Sequence, residues 1–240
     1  MLTPGGFMNL STKLISVAAA AALVAGAGAM AAAPATASGK AAIGGTTIIE
    51  VPLALVGAAQ AAGVTIAPIA PSRAQATSDI VGVTFPITGP ADDGALFHKG
   101  GLSFASSNTN ITLTATKPLI GWPTDGSSDD ATISVTVGGI PEGHPFASAN
   151  GQSLPVFDVK GYDRTIKKGK PKGKGKKWTR VDTITMTGPV TVTTNTTVVD
   201  VLNGLLMAPG GTLFTPGMAF GTLDSVETIT HRCTSKKACR

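Results

Sequence analysis

Few side chains in this sequence could bind a metal ion or activate a nucleophile, and they are widely spaced. The three histidines, His98, His144 and His231, show no metal-ligand spacing. Imidazole and phenolate are both known axial ligands of haem iron. Haem iron or a metal ion could therefore be held by His98, His144, His231, the only tyrosine, Tyr162, or the thioether of a methionine. The competing expectation places His98 at the surface of a strand and the other two histidines in loops.

The sequence also lacks the motifs of hydrolytic catalysis. No serine lies in a Gly-x-Ser-x-Gly turn, the strained turn that exposes a serine nucleophile in many hydrolases. Asp129 and Asp130 are adjacent, so their carboxylates would point to opposite sides of a strand. We therefore expect no enzyme, and a small secreted hydrolase is only the third interpretation of the function.

Residues 1–37 have the layout of a secretory signal peptide. Lys13 leads into the apolar run 14–30, Ala35-Thr36-Ala37 places small residues at a cleavage site, and a linker follows at 38–45. An uncleaved membrane anchor is the alternative, but the run is mostly Ala and Gly and no Lys/Arg cluster follows it. We expect a secreted, extracellular protein, with association to the cell wall as one form of this interpretation.

Cys233 and Cys239 are the only cysteines. In an exported protein such a pair is expected to form a disulfide. The bond would close a small ring and stabilise the tail, residues 230–240, more than the domain. A bridge between two molecules and two free thiols stay open as alternatives.

Positive charge is concentrated in one segment. The formal net charge is +5, and residues 164–180 contain seven lysines, two arginines and no acid. Like-charge repulsion and the Gly and Pro content predict a mobile surface loop. Such a loop would bind an anionic cell-wall polymer or membrane surface, with no specific recognition of nucleic acid; a solvated loop that binds nothing is the alternative. The candidate polyanion-binding residues are Lys167, Lys168, Lys170, Lys172, Lys174, Lys176, Lys177 and Trp178.

Alternation of apolar and polar side chains predicts a mostly β domain over residues 46–229. In 80–87 and 132–137 every second residue is apolar, the pattern of a half-buried strand. Residues 52–62 and 196–207 have helical spacing instead. We expect an antiparallel β-sandwich, or a partly open barrel, with one or two short helices.

Several short motifs resemble those of a known family. They are Val83-Thr84-Phe85-Pro86-Ile87-Thr88-Gly89, His98-Lys99-Gly100-Gly101-Leu102-Ser103-Phe104, Ile111-Thr112-Leu113 before Pro118, Pro155-Val156-Phe157-Asp158-Val159, Met186-Thr187-Gly188-Pro189-Val190 and Phe214-Thr215-Pro216-Gly217-Met218-Ala219-Phe220-Gly221. Over residues 46–227, they resemble the HtaA-like domains of secreted and surface proteins of actinobacteria.

The resemblance implies a binding protein at the cell surface, because founding members of the family bind haem and pass it on. It also implies that His98 matches the histidine of the family's His/Gly/Leu segment. The family's aromatic-rich opening, with the tyrosine that ligates iron, has no counterpart here, and Tyr162 lies far from that place. From the residues themselves we expect an exported, non-enzymatic binding protein without a cofactor; a haem-binding protein of the HtaA-like type is the alternative.

Overall fold

The computed structural model describes residues 42–89, 94–124, 128, 130–175 and 177–239. The predicted signal peptide, residues 38–41 of the predicted linker and Lys176 lie outside the described residues. Within the described ranges, no helix combines the length and the apolar character needed to cross a membrane.

Strands dominate the described part of the chain. They are β1 (Ala42–Pro52), β2 (Val64–Ile69), β3 (Arg73–Ala76), β4 (Ile80–Pro86), β5 (Ala95–Phe97), β6 (Gly101–Ser106), β7 (Thr112–Gly121), β8 (Ala131–Gly138), β9 (Ser153–Val159), β10 (Asp163–Lys167), β11 (Lys172–Lys174), β12 (Lys177–Val192) and β13 (Ala219–Cys233). The α-helices of this part are α1 (Leu53–Ala61) and α2 (Thr196–Leu206). The prediction of a mostly β fold with short helices is confirmed.

The described strands belong to one antiparallel sheet that curls until it is nearly closed. Its order is β2-β6-β7-β8-β9-β12-β13-β1-β4-β3. β5 pairs with β7, while β10 and β11 both pair with β12. The fold agrees with the partly open barrel that the strand pattern predicts as one of its two forms.

The two ends of this sheet approach each other in two different ways. At one level along the barrel axis, β5 pairs with β7 at one end of the sheet. His98, just after β5, forms an isolated bridge with Ile87, just after β4, and this bridge joins the two ends of the sheet. At the other level, β2 pairs with β6 and β3 pairs with β4. No ladder joins β2 to β3 within the described residues. The barrel therefore has a gap between β2 and β3, which we call the seam.

The interior is filled by apolar side chains that alternate along the strands. β8 shows the pattern most clearly, because Ile133, Val135 and Val137 are buried and the residues between them are half-buried. The apolar face of α2 packs against this interior, and the Asn195 side chain caps the helix by accepting two backbone N–H bonds. Full burial of one large aliphatic side chain contributes about 2 kcal/mol, so the interior stabilises the whole barrel.

Three predicted boundaries differ from the structure. β1 begins at Ala42, inside the predicted linker. β13 continues to Cys233, inside the predicted tail. The predicted loop at 164–180 instead forms most of β10, all of β11 and the beginning of β12. In each place a long partner strand supplies backbone hydrogen bonds to residues whose own composition favours a loop.

Candidate functional site

The barrel encloses a cavity lined only by apolar side chains. Its volume is ≈ 50 Å³. The lining comes from β1, β4, β6, β7, β8, β9, α2 and β13, and it includes Ala115 of β7 and Phe214, which precedes β13. We call it the central cavity. A cavity with such a lining stays dry and accepts apolar groups.

A second apolar cavity, of ≈ 40 Å³, lies at the seam. Pro68 of β2, Ala74 of β3 and Val56 of α1 are part of its lining. We call it the seam cavity. It shares four lining residues with the central cavity: Val51, Val83, Leu102 and Phe220. The two cavities are therefore neighbours that adjoin at these four side chains, and we call the pair the apolar path.

α1 packs at the seam and has few anchors there. Ala59 is its one buried residue, and Pro52 at its N-terminus offers no side-chain cap. Leu53, its first residue, is 40% exposed. An element with so little buried apolar surface opens at low free-energy cost. α1 is thus a weakly anchored part of the seam.

The part of the central cavity that α2 and Phe214 line is held more firmly. The Asn203 carboxamide on α2 accepts hydrogen bonds from the N–H groups of Leu213 and Phe214, each at 2.9 Å. The same side chain donates to the carbonyl of Phe214 at 2.8 Å. These bonds fix the chain at Phe214, whose ring is buried against the cavity.

His98 is buried and both its ring nitrogens are hydrogen-bonded, so the expected surface position was wrong. Nδ1 lies 3.0 Å from the carbonyl oxygen of Pro118, and Nε2 lies 2.7 Å from the Thr47 hydroxyl. The Ser225 hydroxyl lies 2.8 Å from that of Thr47. Because a carbonyl only accepts, Nδ1 carries the proton and Nε2 accepts from Thr47. His98, Thr47 and Ser225 are 4%, 1% and 1% exposed.

Burial lowers the pKa of His98 to about 4, although hydrogen bonds to the carbonyls of Pro118 and Leu96 favour the protonated ring. The ring is therefore neutral at pH 7. A neutral imidazole offers the lone pair that iron needs, but this lone pair already accepts the Thr47 proton. His98 also lines neither apolar cavity. As placed, it does not fit the axial ligand of a haem held in those cavities.

The structure does not bring the other predicted ligands to His98. Tyr162 is half-buried in the turn between β9 and β10, and its backbone lies close to Gly188 of β12. The ring of His144 lies 5.6 Å from that of Phe146, tilted by 46°, in the loop after β8. Among the described residues, no group of three or more His, Cys, Asp or Glu side chains could hold a metal ion.

The chain matches no protein-family model and no curated protein. Two solved structures are similar to it. The heme binding protein HtaB from Corynebacterium glutamicum is 14% identical, with a TM-score of 0.48 over 80% of this chain and 96% of that chain. The C-terminal domain of HtaA from the same organism is 9% identical, with a TM-score of 0.43 over 78% of this chain and 99% of that chain.

The described part of the basic segment is a strand ladder with two different faces, where the sequence predicts a mobile loop. Lys172 lies opposite Thr179, and Lys174 lies opposite Lys177. Thr179 also pairs with Arg232 of β13. Residues paired across strands share a face. Four exposed cations, Lys172, Lys174, Lys177 and Arg232, therefore form one outer surface, which we call the cationic face.

The reverse face of this ladder is organised by Asp182. Its buried carboxylate accepts hydrogen bonds from the Gly169 N–H at 3.0 Å and from Arg180 at 2.9 Å. His231 Nε2 lies 3.1 Å from the same carboxylate. Burial acts to raise the pKa of Asp182, but the hydrogen bonds from Gly169 and Arg180 and the nearby positive charges lower it overall. The ionised carboxylate thus holds the chain before β11 against β12.

A disulfide between Cys233 and Cys239 closes the tail over the reverse face. Arg180 donates a hydrogen bond to the carbonyl of Cys239 at 3.0 Å. The indole N–H of Trp178 donates to the carbonyl of Gly175 at 2.9 Å, and the Lys236 ammonium lies 5.9 Å from the centre of the indole ring. Trp178 therefore faces the tail and is not part of the cationic face.

Sequence reasoning missed Thr47, Ser225 and Asp182. Thr47 and Ser225 are 178 positions apart in the chain, and only strand pairing brings them to His98. The position of Asp182 could have been predicted from the alternation in the sequence, because it shares the inward side of β12 with Ile184 and Met186. A carboxylate at such a position needs partners, and here it organises the base of the basic segment.

Proposed function

We propose that this chain is an exported, non-catalytic binding protein that takes an apolar ligand through the seam. The observation that carries the proposal is the apolar path formed by the seam cavity and the central cavity, both lined only by apolar residues. Ligand sites are concave and mostly apolar, whereas protein interiors are otherwise packed with few voids.

The cavity volumes decide how a ligand must enter. The central cavity holds ≈ 50 Å³ and the seam cavity ≈ 40 Å³, whereas pockets for drug-sized ligands measure about 300–1,000 Å³. Only a small apolar group fits either cavity as it stands. A larger ligand requires α1 to leave the seam, and α1 is anchored by one buried residue, Ala59.

Haem is the first ligand to test, because the HtaA-like motifs imply it. Its macrocycle is apolar and larger than either cavity, so it can bind at the seam only when α1 has left it. Its iron finds no ready ligand there, since Nε2 of His98 accepts a hydrogen bond from Thr47. Haem binding at the seam therefore rests on burial of the macrocycle. A slender apolar chain, such as a fatty acyl group, is the second candidate, because the path is narrow.

The test is a titration of the purified protein with hemin, iron-free protoporphyrin IX and the fluorescent fatty acid cis-parinaric acid. We expect at least one of them to bind. For the porphyrin ligands, we expect hemin and protoporphyrin IX to differ in Kd by less than about tenfold, or ~1.4 kcal/mol, because the macrocycle supplies the binding free energy.

Two matched substitutions locate the site. Ala115 lines the central cavity, whereas Ala105 on the adjacent strand β6 is exposed. Ala115→Val fills part of the cavity and should weaken binding by about tenfold, while Ala105→Val should leave it unchanged. Three results would overturn the proposal: no binding of any of the three ligands, binding unchanged by Ala115→Val, or hemin binding that Tyr162→Phe abolishes.

Export is the second part of the proposal and is supported by the composition of residues 1–37. N-terminal sequencing of the protein isolated from its host tests it. We expect the mature chain to begin at Ser38, in the culture medium or the cell-wall fraction. A chain that keeps residues 1–37 and sediments with the membrane would show that this segment is an anchor.

A further inference from the structure

We propose that the cationic face binds a linear, phosphate-bearing polyanion along β11 and β12. This surface is separate from the apolar path and needs no ligand there. Its four cations, Lys172, Lys174, Lys177 and Arg232, come from three adjacent strands.

The register of the strands sets the spacing of these charges. Lys172 and Arg232 lie on either side of Thr179 in one row across the ladder, and neighbouring strands are about 4.8 Å apart. Lys174 and Lys177 form the next row, about 7 Å further along the strands. A polymer with one charge in each repeat unit, lying along the strands, meets a lysine in each row.

No acidic side chain from the surrounding sequence balances this face. Residues 164–181 and 228–240 contain no Asp or Glu, and Asp182 points to the reverse face, where it is bonded to Arg180. Lys174 lies directly opposite Lys177, and like charges in such a pair destabilise a sheet. A bound polyanion removes this repulsion.

The reverse face keeps the cations in place. Asp182 fixes Gly169, Arg180 is bonded to Cys239, and the disulfide closes the tail beneath β12. Because the ladder is already ordered, binding does not have to order a loop. Preorganisation of this kind increases affinity by reducing the entropy cost of association.

The chemistry of the face favours a polyol phosphate polymer over single-stranded nucleic acid. Proteins that bind single strands stack bases on aromatic side chains. The only aromatic residue of the ladder, Trp178, lies on the reverse face below Lys236. The cationic face offers ammonium and guanidinium groups, with threonine hydroxyls between them.

The test compares three probes in equilibrium binding at several salt concentrations: a synthetic poly(glycerol phosphate) oligomer, oligo(dT) of equal charge, and vesicles containing phosphatidylglycerol. We expect the glycerol phosphate oligomer to bind tightest. With four cationic contacts, log K should fall with log[salt] at a slope of about −3. Lys172→Gln/Lys174→Gln should reduce that slope to about −1.4 and weaken binding about tenfold at low salt.

The matched control is Lys236→Gln/Lys237→Gln, which removes the same charge from the tail. We expect it to change the affinity by less than about twofold. Equal losses in the two double variants would show that net charge alone attracts the polymer. Tighter binding of oligo(dT), binding to the vesicles only, or binding independent of salt would also overturn the proposal.

Discussion

The Thr47 hydroxyl lies 2.7 Å from Nε2 of His98, and this contact ties β1 to the bridge that closes one level of the barrel. His98 lies between the end of β4, through Ile87, and β7, through Pro118. The residue that sequence reasoning took as a candidate iron ligand therefore connects strands at the closed level of the sheet.

Acid should destabilise the protein through His98. The ordinary pKa of 6.5 falls to about 4 in the fold, so between these values the unfolded chain binds a proton that the folded chain does not. The contribution of the neutral ring to the free energy of unfolding is complete above pH 6.5 and decreases as the pH falls. Near pH 4 it has decreased by about 3 kcal/mol. Urea unfolding at neutral pH and near pH 4 measures this loss. An equally large loss of stability between neutral pH and pH 4 in His98→Gln would show that protonation of His98 is not its cause.

Thr47→Val should destabilise the fold by about 1–3 kcal/mol. The substitution keeps the shape of the side chain but removes the donor to His98 and the acceptor for Ser225. Thr46→Val is the control, since Thr46 is exposed on the same strand, and it should cost less than about 0.5 kcal/mol. Equal costs for the two variants would show that the buried network contributes nothing.

Local patterns predict those parts of the fold that local physics decides. The alternation in 132–137 predicts the inward side of β8, and the helical spacing in 196–207 predicts α2. They do not predict β11, because Lys172–Lys174 has the composition of a loop and becomes a strand only beside β12. The register that makes one surface of Lys172 and Arg232 likewise depends on strands far apart in the sequence.

The site shows the same division between local and long-range information. The chain's apolar content predicts a buried core, but the seam follows from β2 and β3 pairing with different partners. The burial of His98 follows from contacts to Thr47 and Pro118 that no local sequence pattern predicts. A polar residue in a strand is therefore hard to assign to a surface or an interior before the pairing is known.

A charge placed at the seam should block the apolar path. Ala74 lines the seam cavity, and Gln75 beside it alternates to the other side of β3. Ala74→Glu should weaken binding of hemin or cis-parinaric acid by about tenfold, because the ligand would bury a carboxylate. Gln75→Glu adds the same charge and should have no effect. Equal weakening by the two variants would mean that the seam is not the entry.

Removing the disulfide should loosen the reverse face without unfolding the barrel. The two cysteines are separated by 6 positions, and a ring of this size stabilises a chain by about 2 kcal/mol at most. In Cys233→Ser/Cys239→Ser we expect faster amide hydrogen exchange in 172–179 and in the tail, with little change in β8. Weaker binding of the glycerol phosphate oligomer should accompany it. Loss of protection throughout the barrel would contradict this local role.

The most direct test of the apolar path is methyl NMR of the protein with whichever of hemin, iron-free protoporphyrin IX and cis-parinaric acid binds tightest. Val83 and Leu102 line both cavities, whereas Val181 and Val226 are 46% and 40% exposed on the outer surface. We predict that the ligand changes the methyl signals of Val83 and Leu102 and leaves those of Val181 and Val226 in place. Changes confined to the two exposed valines would contradict the account.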